Sequence, residues 1–209
     1  MSSQILQVHP DNPQPRLIKQ IVEVLCDGGV IAYPTDSAYA LGCHIGDKSS
    51  MERIRRIRDL DAKHNFTLVC RDLSEIAVYA KVGNAAYRLI KSLTPGPYTF
   101  ILKATREVPR RLQNPKRRTI GLRVPDNTIA SSLLAALGEP LMSSTLILPG
   151  EDLPLTDPNE IFSALSHSVD LVVDGGNCGI DPTTVVDLVD DDMPVIAREG
   201  KGDTAPLSW

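Results

Sequence analysis

Gly28-Gly29-Val30-Ile31-Ala32-Tyr33-Pro34-Thr35-Asp36-Ser37 joins the end of a helix to a buried strand and then to a polar loop. Upstream, Leu17, Ile18, Ile21, Val22, Val24 and Leu25 recur at helical spacing. Asn12-Pro13 offers that helix a start and Gly28-Gly29 a stop. Residues 30–33 are a short apolar run halted by Pro34, which reads as a buried strand. Thr35, Asp36 and Ser37 then leave the strand end, where they would expose two hydroxyls and a carboxylate. Ligands of α/β sheets gather at strand ends. The same residue types are common in plain turns, so the loop alone does not decide between site and turn.

Helical and strand-like stretches keep alternating outward from this unit. Ser49-x-x-Glu52 reads as a capping box for a helix with Met51, Ile54, Ile57 and Leu60 on its apolar stripe and arginines on its other faces. Residues 66–70 look like a strand, Asp72-x-x-Glu75 caps a short helix, and residues 85–93 form another. Thr94-Pro95-Gly96-Pro97 is a turn into a strand at 98–103. Residues 119–124 make a strand stopped by Pro125-Asp126, 129–137 a helix ended by Gly138, and 141–145 a strand. Asp157-Pro158 opens a helix with proline at its first position. Strands at 171–174, 184–188 and 194–198 finish the chain. Six helices and about eight strands, intermingled, imply an α/β fold: one domain over residues 1–209, with a twisted open sheet and helices on its faces. Some strands follow one another with no helix between them, so the sheet should mix parallel and antiparallel pairs.

A chain of 209 residues, 42% hydrophobic and 23% charged, is long enough to bury a core of its own. Residues 1–15 show neither a basic start nor a long apolar run, so no secretory leader is expected. No stretch approaches the ~18 apolar residues that cross a bilayer, so no membrane partner is expected either. Cys26, Cys43, Cys70 and Cys178 form no C-x-x-C pair, and the four histidines show no ligand spacing. The expectation is therefore no disulfide, no metal, and a cytoplasmic protein.

The formal net charge of −4 hides a segregation. Residues 50–123 hold seventeen Lys/Arg against six Asp/Glu, whereas residues 124–209 hold two against fifteen. Two clusters dominate the basic middle: Arg53, Arg55, Arg56, Arg58 and Lys63, then Arg106, Arg110, Arg111, Lys116, Arg117 and Arg118. A surface patch of that density would attract a polyanion. With aromatics at only 4% of the chain, contact with the backbone of structured RNA is favoured over stacking on loose bases. The alternative is that the arginines pair with the acidic C-terminal third inside the fold.

Arg123 lies in an otherwise apolar strand and needs either an internal carboxylate or a ligand anion, and Arg198 poses the same question. Cys70 as a nucleophile has nothing nearby in sequence to activate it. No P-loop and no G-x-G-x-x-G occurs, so spacing alone does not establish nucleotide binding.

Four segments in order resemble the motifs of the YrdC/YciO family. Gly28-Gly29-Val30-Ile31-Ala32-Tyr33-Pro34-Thr35-Asp36-Ser37-Ala38-Tyr39-Ala40-Leu41-Gly42 resembles its opening G-G-x-x-x-Y-P-T-[DE]-T-x-Y-G-L-G. Thr94-Pro95-Gly96-Pro97-Tyr98-Thr99-Phe100-Ile101-Leu102 resembles W-P-G-P-x-T-x-I-L. Thr119-Ile120-Gly121-Leu122-Arg123-Val124-Pro125 resembles T-x-G-x-R-x-P, and Pro182-Thr183-Thr184-Val185-Val186-Asp187 the later S-T-V-V-D. The match runs over roughly residues 14–200. The resemblance implies a mixed, twisted α/β sheet with a large concave basic cavity, and binding of double-stranded RNA or tRNA. The family's best-understood branch makes threonylcarbamoyl-AMP from L-threonine, bicarbonate and ATP, for tRNA modification.

Carried over by motif, the resemblance implies that an L-threonine-like ligand meets Thr35, Arg123, Ser144 and Cys70, the last in place of the family's histidine. A nucleotide would meet Arg58, Thr119, Thr183 and Arg198. Arg53, Arg55, Arg56, Arg58, Arg110, Arg111, Lys116, Arg117 and Arg118 would hold RNA phosphates. The synthases' K-x-R motif is altered, with Arg58 in the lysine place and Leu60 in the arginine place. Their S-x-N becomes Ser144-Thr145-Leu146 and loses the asparagine. This pattern is similar to the YciO branch. Three readings result. The first is a YciO-type RNA-binding protein whose pocket takes a nucleotide or threonylcarbamoyl-like ligand; hydrolysis or transfer there would use Asp36 or a bound water as base. The second is a threonylcarbamoyl-AMP synthase, with Arg58 and neighbours such as Lys63 covering the lost motif. The third is a non-catalytic RNA-binding module. No cofactor is required by the sequence; ATP with magnesium enters only with the synthase reading.

Overall fold

The computed structural model describes residues 3–61, 64–190 and 193–207. Among these residues eleven strands join one sheet. They are β1 Gln4–Gln7, β2 Ile31–Tyr33, β3 Ala40–His44, β4 Thr67–Val69, β5 Ala80–Lys81, β6 Tyr98–Ala104, β7 Thr119–Arg123, β8 Leu141–Thr145, β9 Leu171–Asp174, β10 Thr184–Asp187 and β11 Val195–Arg198. The helices are α1 Pro15–Cys26, α2 Lys48–Arg58, α3 Leu73–Tyr79, α4 Asn84–Leu93, α5 Thr128–Leu137 and α6 Pro158–Leu165. None of them is long and apolar enough to cross a membrane.

The sheet order is β1-β9-β2-β3-β8-β4-β7-β6-β10-β11, with β5 also pairing β6. Pairs β1–β9, β2–β9, β4–β7 and β6–β10 are parallel, and the others antiparallel. The mixed sheet is therefore as read from the sequence. All eight expected strands form, and three more join them. β3 was hidden because its Ala-Leu-Gly-Cys-His run lacks β-formers; it is a strand because β2 and β8 flank it on both sides. β1 and β5 are short strands whose partners lie far along the chain, for β5 beyond helix α4.

Two local readings are corrected. α1 starts at Pro15 and not at Asn12-Pro13, and Gln14 caps it without a side-chain hydrogen bond. α2 is capped by Asp47, whose carboxylate accepts from Ser50 N at 3.0 Å, so Ser49 lies inside the helix and forms no capping box. The caps at Asp72 and Asp157 form as expected, accepting from Glu75 N and Asn159 N. α1 stops where Gly28 takes φ +80° and the chain folds so tightly that a Cβ on Gly29 would lie 2.6 Å from Val24 O. α1 buries Ile18, Ile21 and Leu25, each contributing roughly 1.5–3 kcal/mol by leaving water.

Strand parity then sorts the sheet. Leu68, Phe100, Leu102, Ile120, Leu122 and Met142 enter one hydrophobic core. Ile21, Leu25, Leu133, Leu141 and Leu171 belong to a second, around α1 and α5. Between the core positions, Thr67, Val69, Thr99, Ile101, Thr119, Gly121, Arg123, Ser143 and Thr145 line a cavity. In β4, β6 and β7 these are the alternate residues, as a period of two requires.

Candidate functional site

The cavity measures about 790 Å³, a size that suits a nucleotide or similar ligand. Its floor is the strand face just described. α2 supplies one rim. The helix ends at Asp59 in the left-handed region, φ 51°, and Leu60 N closes onto Arg55 O at 2.9 Å. That reversal carries Asp59, Leu60, Asp61 and His64 onto the cavity wall beside Arg58.

Arg123 is the charged anchor of the floor, and only 7% of it is exposed. Its Nη2 donates to Asp36 Oδ1, and its Nη1 donates to Ser37 Oγ at 3.3 Å. The internal carboxylate left open by the sequence is thus Asp36, whose second oxygen accepts from Asp126 N at 3.1 Å. Lys201 Nζ donates to the Asp36 carbonyl, tying the C-terminal segment to the same loop. Arg123 Nε is buried with no hydrogen-bond partner among the described residues.

The loop at 34–38 does not expose its hydroxyls as expected. Thr35 and Ser37 are buried. Thr35 Oγ1 donates to Ala38 O at 2.6 Å, so Ser37 Oγ must be the donor in their 3.1 Å contact. The chain of donors runs Arg123, Ser37, Thr35, Ala38 O, in one direction. Thr35 therefore acts on the cavity through Ser37 and Arg123 and is not itself on the wall. Nor is Cys70: it follows Leu68 in parity, bonds Arg123 O through its backbone N–H, and buries its thiol in the core. Burial there pushes the thiol's pKa well up, with Glu75 and Asp72 adding to the shift, which disfavours the thiolate.

Six of the residues carried over by motif do meet at this one cavity: Arg58, Thr119, Arg123, Ser144, Thr183 and Arg198. Ser144 has the parity of Met142, but Arg58 reaches it past the end of α2. Arg58 Nη1 donates to Ser144 Oγ at 2.7 Å and its Nε to Ile147 O at 3.0 Å. Arg198 is answered by a carbonyl and not by a carboxylate: Nη2 donates to Thr183 O at 2.8 Å, while Thr183 Oγ1 lies 2.8 Å from Thr99 Oγ1. Partial burial lowers the pKa of both Arg58 and Arg198, and an arginine stays charged through such a shift. Leu60 stands on the wall where the family motif has arginine, and Leu146, in the asparagine place, is fully buried in the core.

The basic clusters separate in space. Arg53 pairs with Asp170 at 2.8 Å, and Arg55 lies over the Phe66 ring at 5.1 Å and donates to Asp61 O. Arg56 donates weakly to Glu52 O. Arg117 lines the cavity and pairs with Asp187 at 2.7 Å. Arg111 is exposed and donates to Gly46 O. Arg106, Arg110, Lys116 and Arg118 are exposed. Lys63 lies outside the described residues. So part of the acidic third does pair with the basic middle, through Asp170 and Asp187.

Sequence reading passed over His64. It lines the cavity with its pKa lowered by burial first, and by Arg58 and Arg55 next. Only its place after the α2 reversal reveals it, and no spacing rule reports that. Among the described residues no group of three or more His, Cys, Asp or Glu is placed to hold a metal ion.

A family model for Sua5, YciO and YrdC proteins, described as "Telomere recombination", matches residues 23–200. The uncharacterized protein YciO of Escherichia coli K12 is 60% identical over 205 residues, covering 98% of this chain and 99% of that one. The crystal structure of E. coli YciO superposes with a TM-score of 0.94 over 98% of each chain. A putative threonylcarbamoyl-AMP synthase of Methanocaldococcus jannaschii is 26% identical over 96% of this chain and 94% of its own. The crystal structure of P. abyssi Sua5 complexed with L-threonine shares the fold, with a TM-score of 0.85 at 24% identity, over 94% of this chain and 57% of that one. The chain belongs to the Sua5/YciO/YrdC family, and is thereby related to the threonylcarbamoyl-AMP synthases.

Proposed function

We propose that the cavity takes a threonylcarbamoyl-adenylate-like ligand, in tRNA threonylcarbamoyladenosine metabolism, and that exposed arginines of residues 106–118 hold RNA. One observation carries this reading. Arg123, Arg58 and Arg198 line one cavity, so a carboxylate and a phosphate can be met in one site. The relative named as a putative threonylcarbamoyl-AMP synthase and the Sua5 bound to L-threonine support the same ligand class. Free cysteines fit a reducing cytoplasm, where tRNA is modified.

Asp36 is a poor base for chemistry here, because Arg123 and Asp126 N already occupy both its oxygens. A bound water is the better candidate. The synthase reading keeps one structural argument: Arg58 occupies the cavity from the lysine place and is anchored to Ser144. Against it stand Leu60 and Leu146, which supply no charge or amide toward a triphosphate.

The deciding experiment measures pyrophosphate release from ATP, L-threonine and bicarbonate, with and without tRNA, beside a competent synthase. Binding of L-threonine or of the adenylate without pyrophosphate release supports the proposal. Robust release replaces it with the synthase reading. Failure of both ligands to bind, or binding that Arg123→Lys leaves unchanged, overturns it.

A further inference from the structure

A second concavity, of about 820 Å³, lies on the other side of the turn at residues 114–118. Lys81, Arg106, Arg110 and Arg118 line it, and among the described residues no Asp or Glu is on its wall. The four cations come from four places: β5, the segment after β6, the 3-10 turn Arg110–Leu112, and the turn before β7. None of the four has an ion pair or a side-chain hydrogen bond among the described residues. This sets them apart from Arg53, Arg58 and Arg117, whose guanidinium groups are engaged within the fold.

The frame of this cavity is held in place. Asn114 Oδ1 accepts from the backbone N–H of Lys116 and of Arg117, both at 3.0 Å. Arg118 N donates to Asn114 O at 2.8 Å, and Ala104 N donates to Arg118 O at 3.0 Å. Gln113 Nε2 donates to Val108 O at 2.8 Å. Arg118 takes φ 53°, in the left-handed region that residues other than glycine enter rarely. The turn thereby assigns consecutive residues to separate cavities, Arg117 to the first and Arg118 to the second, while Asn114 borders both.

We propose that this second cavity is an anion site that takes phosphoryl groups, separate from the Arg123 cavity. Four like charges gathered in one cleft, with no carboxylate on its wall among the described residues, focus a positive potential there. One carboxylate would leave most of that charge unanswered. Consecutive phosphates would answer it, and the arginine forks match phosphate oxygens in pairs. The volume holds several tetrahedral groups. Two sources share this chemistry, a free oligophosphate and the backbone of a nucleic acid. With a nucleic-acid backbone as the source, the site rests on and deepens the RNA reading proposed above for residues 106–118; with a free oligophosphate it does not depend on that reading or on what fills the first cavity.

The test titrates inorganic tripolyphosphate, and separately a short RNA duplex over a range of salt, into the wild type and the double variant Arg106→Gln with Arg110→Gln. Both positions are exposed, and an unchanged melting temperature checks the fold. Arg198→Gln serves as the first-cavity control. The expected result is binding of at least one probe that the double variant weakens tenfold or more and that Arg198→Gln leaves in place. For the duplex, the salt slope should fall by about two, one for each phosphate contact removed. A response with tripolyphosphate alone identifies a free oligophosphate, and with RNA alone a backbone. The proposal is overturned if the wild type binds neither probe, if the double variant binds like the wild type, or if Arg198→Gln abolishes the tripolyphosphate signal.

Discussion

Along α2, arginines 53, 55 and 58 are worked into the fold, whereas those at 106, 110 and 118 stand on its surface around a cleft. In sequence the two clusters look alike. What separates them is secondary structure. An amphipathic helix must lay one flank against the sheet, so side chains beside its apolar stripe are drawn into contact. Arg55 ends 13% exposed at its side chain, with an aromatic ring under its guanidinium. The 105–118 segment is not helical beyond one short turn; it anchors Val108 and Leu112 in the core, ties Arg111 and Arg117 to the fold, and lets Arg106, Arg110 and Arg118 project from a frame made by Asn114 and the backbone. A linear run of arginines therefore does not name a binding surface; the element that carries it decides.

The comparison is tested most severely by Arg123, the limiting case of an arginine built into the fold. Arg123→Ala strands Asp36 in a buried loop and should cost about 3–5 kcal/mol in urea unfolding, as breaking a buried pair does. A loss under about 1 kcal/mol would mean that water reaches the pair. Next, Arg55→Ala should cost about 1–3 kcal/mol through the lost Phe66 and Asp61 contacts, while Arg110→Ala should stay within about 0.5 kcal/mol. Equal costs would erase the distinction between the clusters.

RNA titration should give the opposite ranking. Arg53→Gln should leave the salt slope where it is, because Asp170 already holds that guanidinium. A slope reduced as much as by a loop substitution would show that Arg53 leaves Asp170 for RNA.

The smallest expected effect is electrostatic. Burial, Arg58 and Arg55 lower the pKa of His64, so its unfolded form binds more protons below about pH 6.5. The stabilisation from its neutral form is thus complete above that pH and is lost as the pH falls through the lowered folded value. In an NMR titration Arg58→Gln should raise the His64 pKa, and Arg110→Gln should leave it unmoved. A His64 indifferent to Arg58 would mean that solvent screens the cavity wall.

Much of the site was already legible as motif positions: Arg58, Thr119, Arg123, Ser144, Thr183 and Arg198 converge on one cavity from segments up to 140 residues apart. Thr35 and Cys70 lie off the cavity wall, for different reasons. Thr35 spends its hydroxyl within its own loop, a choice set by which acceptor lies nearest. Cys70 follows the alternation begun by Leu68 onto the core face, which became visible only with the register of β4 on β7.

By itself the sequence determined the alternation of helices and strands, the mixed sheet and the family, because periodicity, caps and motif order are local properties of the chain. Only the tertiary structure decided that Asp36 answers Arg123, that His64 faces the ligand cavity, and that one arginine cluster is built in while part of the other rings a second cleft. Those outcomes depend on which distant segments meet, and a carboxylate's partner is chosen by proximity in space, for which linear spacing carries no signal.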